Sequence, residues 1–171
     1  MTFITNSMFV IHLLSGVFIG GTAFLLYWFI APSVRELGPD GGKFMVILLG
    51  KFKLPVWMSW IGVFNITSGF YLLYIKYGND TAWITSSSGF PLLIGILTGL
   101  TAWTLATFVF QRPAGKQIVQ IGSAIKAAGG TPTPIQLQEL DIAKRKMAIG
   151  TKLTVILITM TIIGMSLSLH L

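Results

Sequence analysis

Four stretches of this chain, roughly 8–31, 54–75, 90–111 and 150–170, are apolar and nearly free of charge. At about 21 to 24 residues each, they match the helical length needed to cross a hydrocarbon layer of about 30 Å. Lipid offers no water to backbone N–H and C=O groups, so a spanning segment satisfies them internally, as a helix. Composition supports the same class. The chain is 53% hydrophobic and only 10% charged, with a mean hydropathy of +0.78, whereas about a quarter of a soluble domain is charged. The 171 residues are therefore expected to form one all-α integral membrane domain, a four-transmembrane-helix bundle.

The first stretch fits a signal peptide poorly. No basic residue precedes it, its apolar core is long, and no small-residue cleavage site follows before Pro32. It is expected to remain as helix 1. The chain has no cysteine, which removes disulfides, thiolate metal sites and thiol catalysis.

The formal charge of +7 is unevenly placed. The first connection carries Arg35, Lys43, Lys51 and Lys53 against Glu36 and Asp40, net +2, and the second only Lys76 and Asp80, net zero. The third carries seven basic residues, from Arg112 to Lys152, against Glu139 and Asp141, net +5. The positive-inside bias places connections one and three in the cytoplasm and both termini outside. No aromatic-basic motif accompanies these charges, so nucleic acid is not an expected partner. Trp57 and Trp60 near one boundary, and Tyr71, Tyr74, Tyr77 and Trp83 near the other, suit the two aromatic belts.

At 100° per residue, Met8, His12, Ser15, Gly16, Ile19, Gly20, Ala23 and Tyr27 share one side of helix 1. Val10, Leu14, Val17, Phe18, Phe24, Leu25 and Trp28 fall opposite, towards lipid. Met58, Gly62, Asn65 and Gly69 align on helix 2, and Gly95, Gly99, Ala102 and Ala106 on helix 3. Gly150, Thr154, Leu157, Thr161, Gly164 and Ser168 align on helix 4. Small residues let helix backbones approach, so these faces predict one close-packed bundle. Asn65 is expected to be a mid-membrane polar contact.

The long third connection has its own pattern. Ile118, Ile121 and Ile125 make one face of an amphipathic helix that Gly129-Gly130 ends. "TPTPIQ" then offers Thr133 as N-cap, Pro134 at N1 and Gln136 at N3, a capping box from which helix 4 should start. Residues 112–149 are expected to form a cytoplasmic helical hairpin that lies on the membrane surface or docks a partner helix.

His12 is an ionisable residue within a span, and so a candidate for function. Met165 is expected at similar depth, Met8 one turn above, and Gly95 nearby would leave room. Imidazole and thioether are ligands for copper(I) or haem iron. His170 projects about 200° around helix 4 from the small-residue face, a poor partner for a bis-histidine haem. No acid lies within the four stretches, and there is no hydrolytic triad, P-loop or dinucleotide fingerprint, so no catalytic residues are assigned. The residues favour a histidine hydrogen-bonded inside the bundle, to a hydroxyl or carbonyl on helix 3 or 4 or to a bound water, with no bound cofactor. A metal or haem site of His12, Met8 and Met165 is the sharper alternative.

"HLLSGVFIGGTAF", "LLGKFKLPVWMSWIGVFNITSGFYLLY" and "GGTPTPIQLQELDIAKRKMAIGTKLTVILI" resemble the small four-helix membrane proteins grouped with copper resistance protein D. Their layout is similar to that of the membrane-type protoporphyrinogen oxidase. The resemblance implies a histidine early in helix 1, matched by His12, that holds haem in the oxidase branch. That branch also uses a lysine near the start of helix 3, where this chain reads "GFPLLIG". The expected role is a non-catalytic accessory or assembly subunit of a larger membrane oxidoreductase complex, in a prokaryotic cell membrane. The alternative is a free-standing haem- or copper-binding protein using His12.

Overall fold

The structure is a computed structural model that describes residues 2–168. Seven α-helices follow one another: α1 (Phe3–Leu25), α2 (Ala31–Glu36), α3 (Gly38–Val46), α4 (Leu54–Tyr77), α5 (Gly89–Thr104), α6 (Gln111–Ala127) and α7 (Pro134–Leu167). Four helical rods are long and apolar enough to cross a membrane: Phe3–Glu36, Leu54–Tyr77, Gly89–Ala127 and Pro134–Leu167. The expected four spans are present. The first and third run well beyond the apolar stretches, however, because helix continues through the basic residues that follow them.

What joins the pieces of these rods is a wider turn. Leu26–Ile30, Ile47–Lys51 and Leu105–Val109 are π turns. Each contains the residue four before a proline: Trp28 before Pro32, Lys51 before Pro55 and Val109 before Pro113. A proline ring collides with the carbonyl four residues back and supplies no N–H for it. Widening the turn moves that carbonyl aside. Ala31 N–H then donates to Leu26 O, and Phe110 N–H to Leu105 O at 2.9 Å. The first and third rods bend here without ending.

The hairpin beyond the third span follows the sequence closely. Gly129 and Gly130 take φ of +91° and +89° after α6, a conformation that costs glycine nothing. Thr133 Oγ1 accepts from Gln136 N–H at 3.2 Å, and Gln136 Oε1 accepts from Thr133 N–H at 2.9 Å, so the capping box is complete. The apolar face of α6 neither lies free nor awaits a partner. Ala114, Gly115 and Ile118 are buried, Met147 of α7 closes over Gly115, and Val46 and Val119 interlock with Gly122 and Gly50.

Packing divides the bundle into two pairs rather than one close-packed block. α1 lies along α4, and α5 lies along α7. In the second pair, a methyl group on Gly164 would come within 2.5 Å of Pro91 O, and one on Gly95 within 3.1 Å of Met165 Cγ. Thr98 and Thr161 share a hydrogen bond of 3.0 Å across it. The pairs meet at a small core of Ala23, Ala102, Val155 and Ile158, and where the Trp103 ring fills the notch left by Gly62 and donates to Ser59 O at 3.1 Å. Elsewhere they stand apart. An open cleft of about 2660 Å³ runs between them and on past the spans, lined by all four spans and by residues of α2, α3 and α6.

The faces expected on α1 hold with one exception. Met8, His12, Ser15, Gly16, Ile19, Gly20 and Ala23, with Tyr27 in the π turn beyond, are buried or half-buried, while Val10, Leu14, Val17, Phe18, Leu25 and Trp28 are exposed. Phe24, on the face expected to meet lipid, is half-buried and packs against the small core, because the pairs meet beside it at Ala23 and its ring covers that contact.

Candidate functional site

His12 and Asn65 form a reciprocal clasp between the first two spans. His12 Nδ1 lies 2.9 Å from the carbonyl oxygen of Asn65, and the Asn65 side chain donates from Nδ2 to the carbonyl of His12, also at 2.9 Å. Asn65 Nδ2 donates a second bond to Ser15 Oγ at 3.0 Å. Ser68 Oγ stands 3.5 Å from His12 Nδ1 and is itself bonded to Phe64 O at 2.6 Å. Four polar side chains and the carbonyls of His12, Phe64 and Asn65 thus satisfy one another within the membrane, where an unpaired polar group would be costly.

Small residues make this approach possible. The imidazole lies over Gly69, where an added methyl group would meet Cε1 at 2.8 Å. A methyl group on Gly16 would meet Asn65 Nδ2 at 3.4 Å, whereas one on Gly20 would meet Ile158 and Ile162 of α7. The two glycines of the G-x-x-x-G pair therefore serve different neighbours. The histidine's partner was expected on helix 3 or 4 and lies on helix 2, because Gly69 rather than Gly95 provides the space beside it. The room expected at Gly95 is taken by α7 itself.

A carbonyl oxygen can only accept, so the bond to Asn65 makes Nδ1 the protonated nitrogen of neutral His12. Nε2 then carries a lone pair. A metal-binding histidine has the same arrangement, its other ring N–H given to a carbonyl that fixes tautomer and ring orientation. Among the described residues no hydrogen bond to Nε2 is present, and His12 lines the cleft between the pairs.

Of the other candidate ligands, Met165 lines the same cleft and Met8 does not contribute to its wall. His170 lies outside the described residues. Among the described residues there is no cluster of three or more His, Asp or Glu side chains. The features that sequence reasoning missed are Ser68 and Ser15 as second partners of the clasp, and Trp103 as the plug at Gly62. A serine three residues after Asn65, on the same helical face, was the available signal for Ser68.

No family model, no curated protein and no solved structure matches the chain. The fold and the site rest on its own geometry.

Proposed function

We propose that this chain is a membrane-resident binding protein in which His12 holds a b-type haem or a copper(I) ion, without catalysing a reaction of its own. The observation that carries this is the His12 tautomer: Nδ1–H is held by Asn65, and the Nε2 lone pair belongs to a residue of the cleft wall. Gly69 lets the ring seat against α4, and the position of His12 on the cleft wall suits a ligand on the cleft side. Bound there, haem or copper would supply one-electron chemistry. The chain's own contribution is to orient the imidazole, with Nδ1 given to the Asn65 carbonyl and Nε2 left for the ligand. Met165, on the other helix pair, lines the same cleft and is the candidate thioether partner.

Purification of the full chain in mild detergent, from cells supplied with haem precursor and copper, tests this. A Soret band or stoichiometric copper that disappears in His12→Ala supports it. A colourless, copper-free wild-type protein overturns it.

A second reading is favoured by a separate observation. On the part of α7 that projects beyond the fourth apolar stretch, Ile135, Ile142 and Ile149 recur every seven residues and are 69%, 58% and 59% exposed. A seven-residue apolar repeat suits a partner helix. We propose on this ground that the protein serves as an accessory subunit of a membrane oxidoreductase complex, through this face. Co-purifying membrane subunits, identified by mass spectrometry and lost in Ile142→Lys, support it. Migration as an isolated monomer with no companion overturns it.

A further inference from the structure

The cleft between the helix pairs has two chemically different ends. Near His12 and Met165 its wall is largely apolar, with Asn65, Thr161 and a single cation, Lys76, beside the imidazole. Towards the far end Arg35, Arg112, Lys126, Lys144 and Lys152 line it, contributed by α2, α6 and α7. At 1.5 Å per helical residue, His12 and Arg35 are on the order of 35 Å apart along the rod. The carboxylate nearest in kind, Asp141, also lines this end, but it is already held by Arg145 at 2.8 Å. Lys43 is likewise occupied, by Asp40 at 2.7 Å, a bond that holds the Asp40 carboxyl below its ordinary range and raises the Lys43 ammonium above its own. Among the described residues, none of the five remaining cations is within ion-pair distance of a carboxylate.

Five uncompensated cations at the mouth of an apolar cleft describe an amphiphile with a negative head. We propose that the cleft is a binding site for one anionic glycerophospholipid of the surrounding bilayer. Its phosphate sits among Arg35, Arg112 and Lys144, and its acyl chains lie between the two helix pairs. Three features favour this occupant. The volume of about 2660 Å³ is well above the roughly 300–1,000 Å³ of pockets for small ligands. Basic pockets between spans on the positively charged side are where anionic head groups dock. The position also suits the length of a lipid, since one leaflet contributes about half of a hydrocarbon core of about 30 Å. Acyl chains anchored at the basic end would stop short of His12, so this site is independent of what the histidine holds.

The full chain, purified in mild detergent and equilibrated with mixed micelles of phosphatidylglycerol and phosphatidylcholine in equal amounts, is the material for the test, and native mass spectrometry is the readout. The expected result is one phosphatidylglycerol retained per chain and no preference for phosphatidylcholine. The exposed pair Arg112→Gln/Lys144→Gln should reduce that retention at least tenfold. Ala148→Phe, which places a ring inside the cleft, should do the same while both charges remain. Circular dichroism establishes that each variant is folded, and if Ala148→Phe is not, the charge pair decides alone. Equal retention of the two lipids, or unchanged retention in the folded charge variant, overturns the proposal.

Discussion

The imidazole of His12 rests directly on Gly69, so close that a methyl group there would stand 2.8 Å from Cε1 and 3.1 Å from Nδ1. One glycine on the second span thus decides where the only described histidine points. Gly69→Ala should force the ring to rotate and break its bond to the Asn65 carbonyl. The expected outcome is a loss of about 1 kcal/mol in the association of the first two spans, measured by unfolding in detergent. Any colour or copper held by His12 should fall with it. A variant as stable as wild type, with its ligand content unchanged, would show that the ring does not depend on that bare backbone.

Asn65 bonds to His12 O and Ser15 Oγ with the same nitrogen. Asn65→Ala should cost about 1–2 kcal/mol, within the range of polar contacts between spans. Ser15→Ala should cost less, because the Ser15 hydroxyl also bonds within its own helix, to Ile11 O at 2.6 Å. Residues that share a bond are not additive. The double variant should therefore lose less than the sum of the two single losses, and strict additivity in a double-mutant cycle would contradict the clasp.

Two glycines separate close packing from mere composition. A methyl group on Gly164 would meet Pro91 O at 2.5 Å and Gly95 N at 2.9 Å, while one on Gly21 would meet nothing within 4 Å. Gly164→Ala should pry α7 from α5 at a cost of about 1–3 kcal/mol, typical of overpacking. Gly21→Ala should cause no loss, since alanine is the better helix former. Thermal unfolding of the two variants side by side checks both statements.

Trp103 joins the pairs by filling the notch at Gly62 and donating to Ser59 O. Trp103→Phe keeps most of the ring and removes the donor. It should cost about 0.5–1.5 kcal/mol, the net worth of one hydrogen bond. Gly62→Leu should exclude the ring altogether and be the more damaging change, with the difference visible as the indole's fluorescence shifting on exposure.

The four apolar helices, the C-terminal end of α6 and the start of α7 were legible because each depends on local chemistry. Apolar length, a Gly-Gly stop and a Thr-Pro-Ile-Gln start act within a few residues of one another. The inward face of α1 was legible for the same reason, since helical periodicity alone defines it. The choice of neighbour was not. Gly16 and Gly20 look equivalent in sequence, yet one meets Asn65 and the other Ile158, because that depends on how the rods cross. The histidine's partner was misplaced for this reason, and so was the single close-packed block. Small residues say that two backbones can approach. They do not say how many pairs will form or how wide a gap will separate them.

Each π turn before a proline contains one residue more than an α-turn needs. A helix that gains one residue is rotated by about 100° beyond that point. The turn at Leu26–Ile30 therefore swings Arg35 to a bearing that a regular helix would not give it, and the turn at Leu105–Val109 does the same for Arg112. Both arginines end on the wall of the cleft. Pro32 and Pro113 thus act at a distance as compass settings for charge. Replacing either with alanine and deleting one residue of its π turn should leave a straighter rod with its guanidinium turned towards lipid.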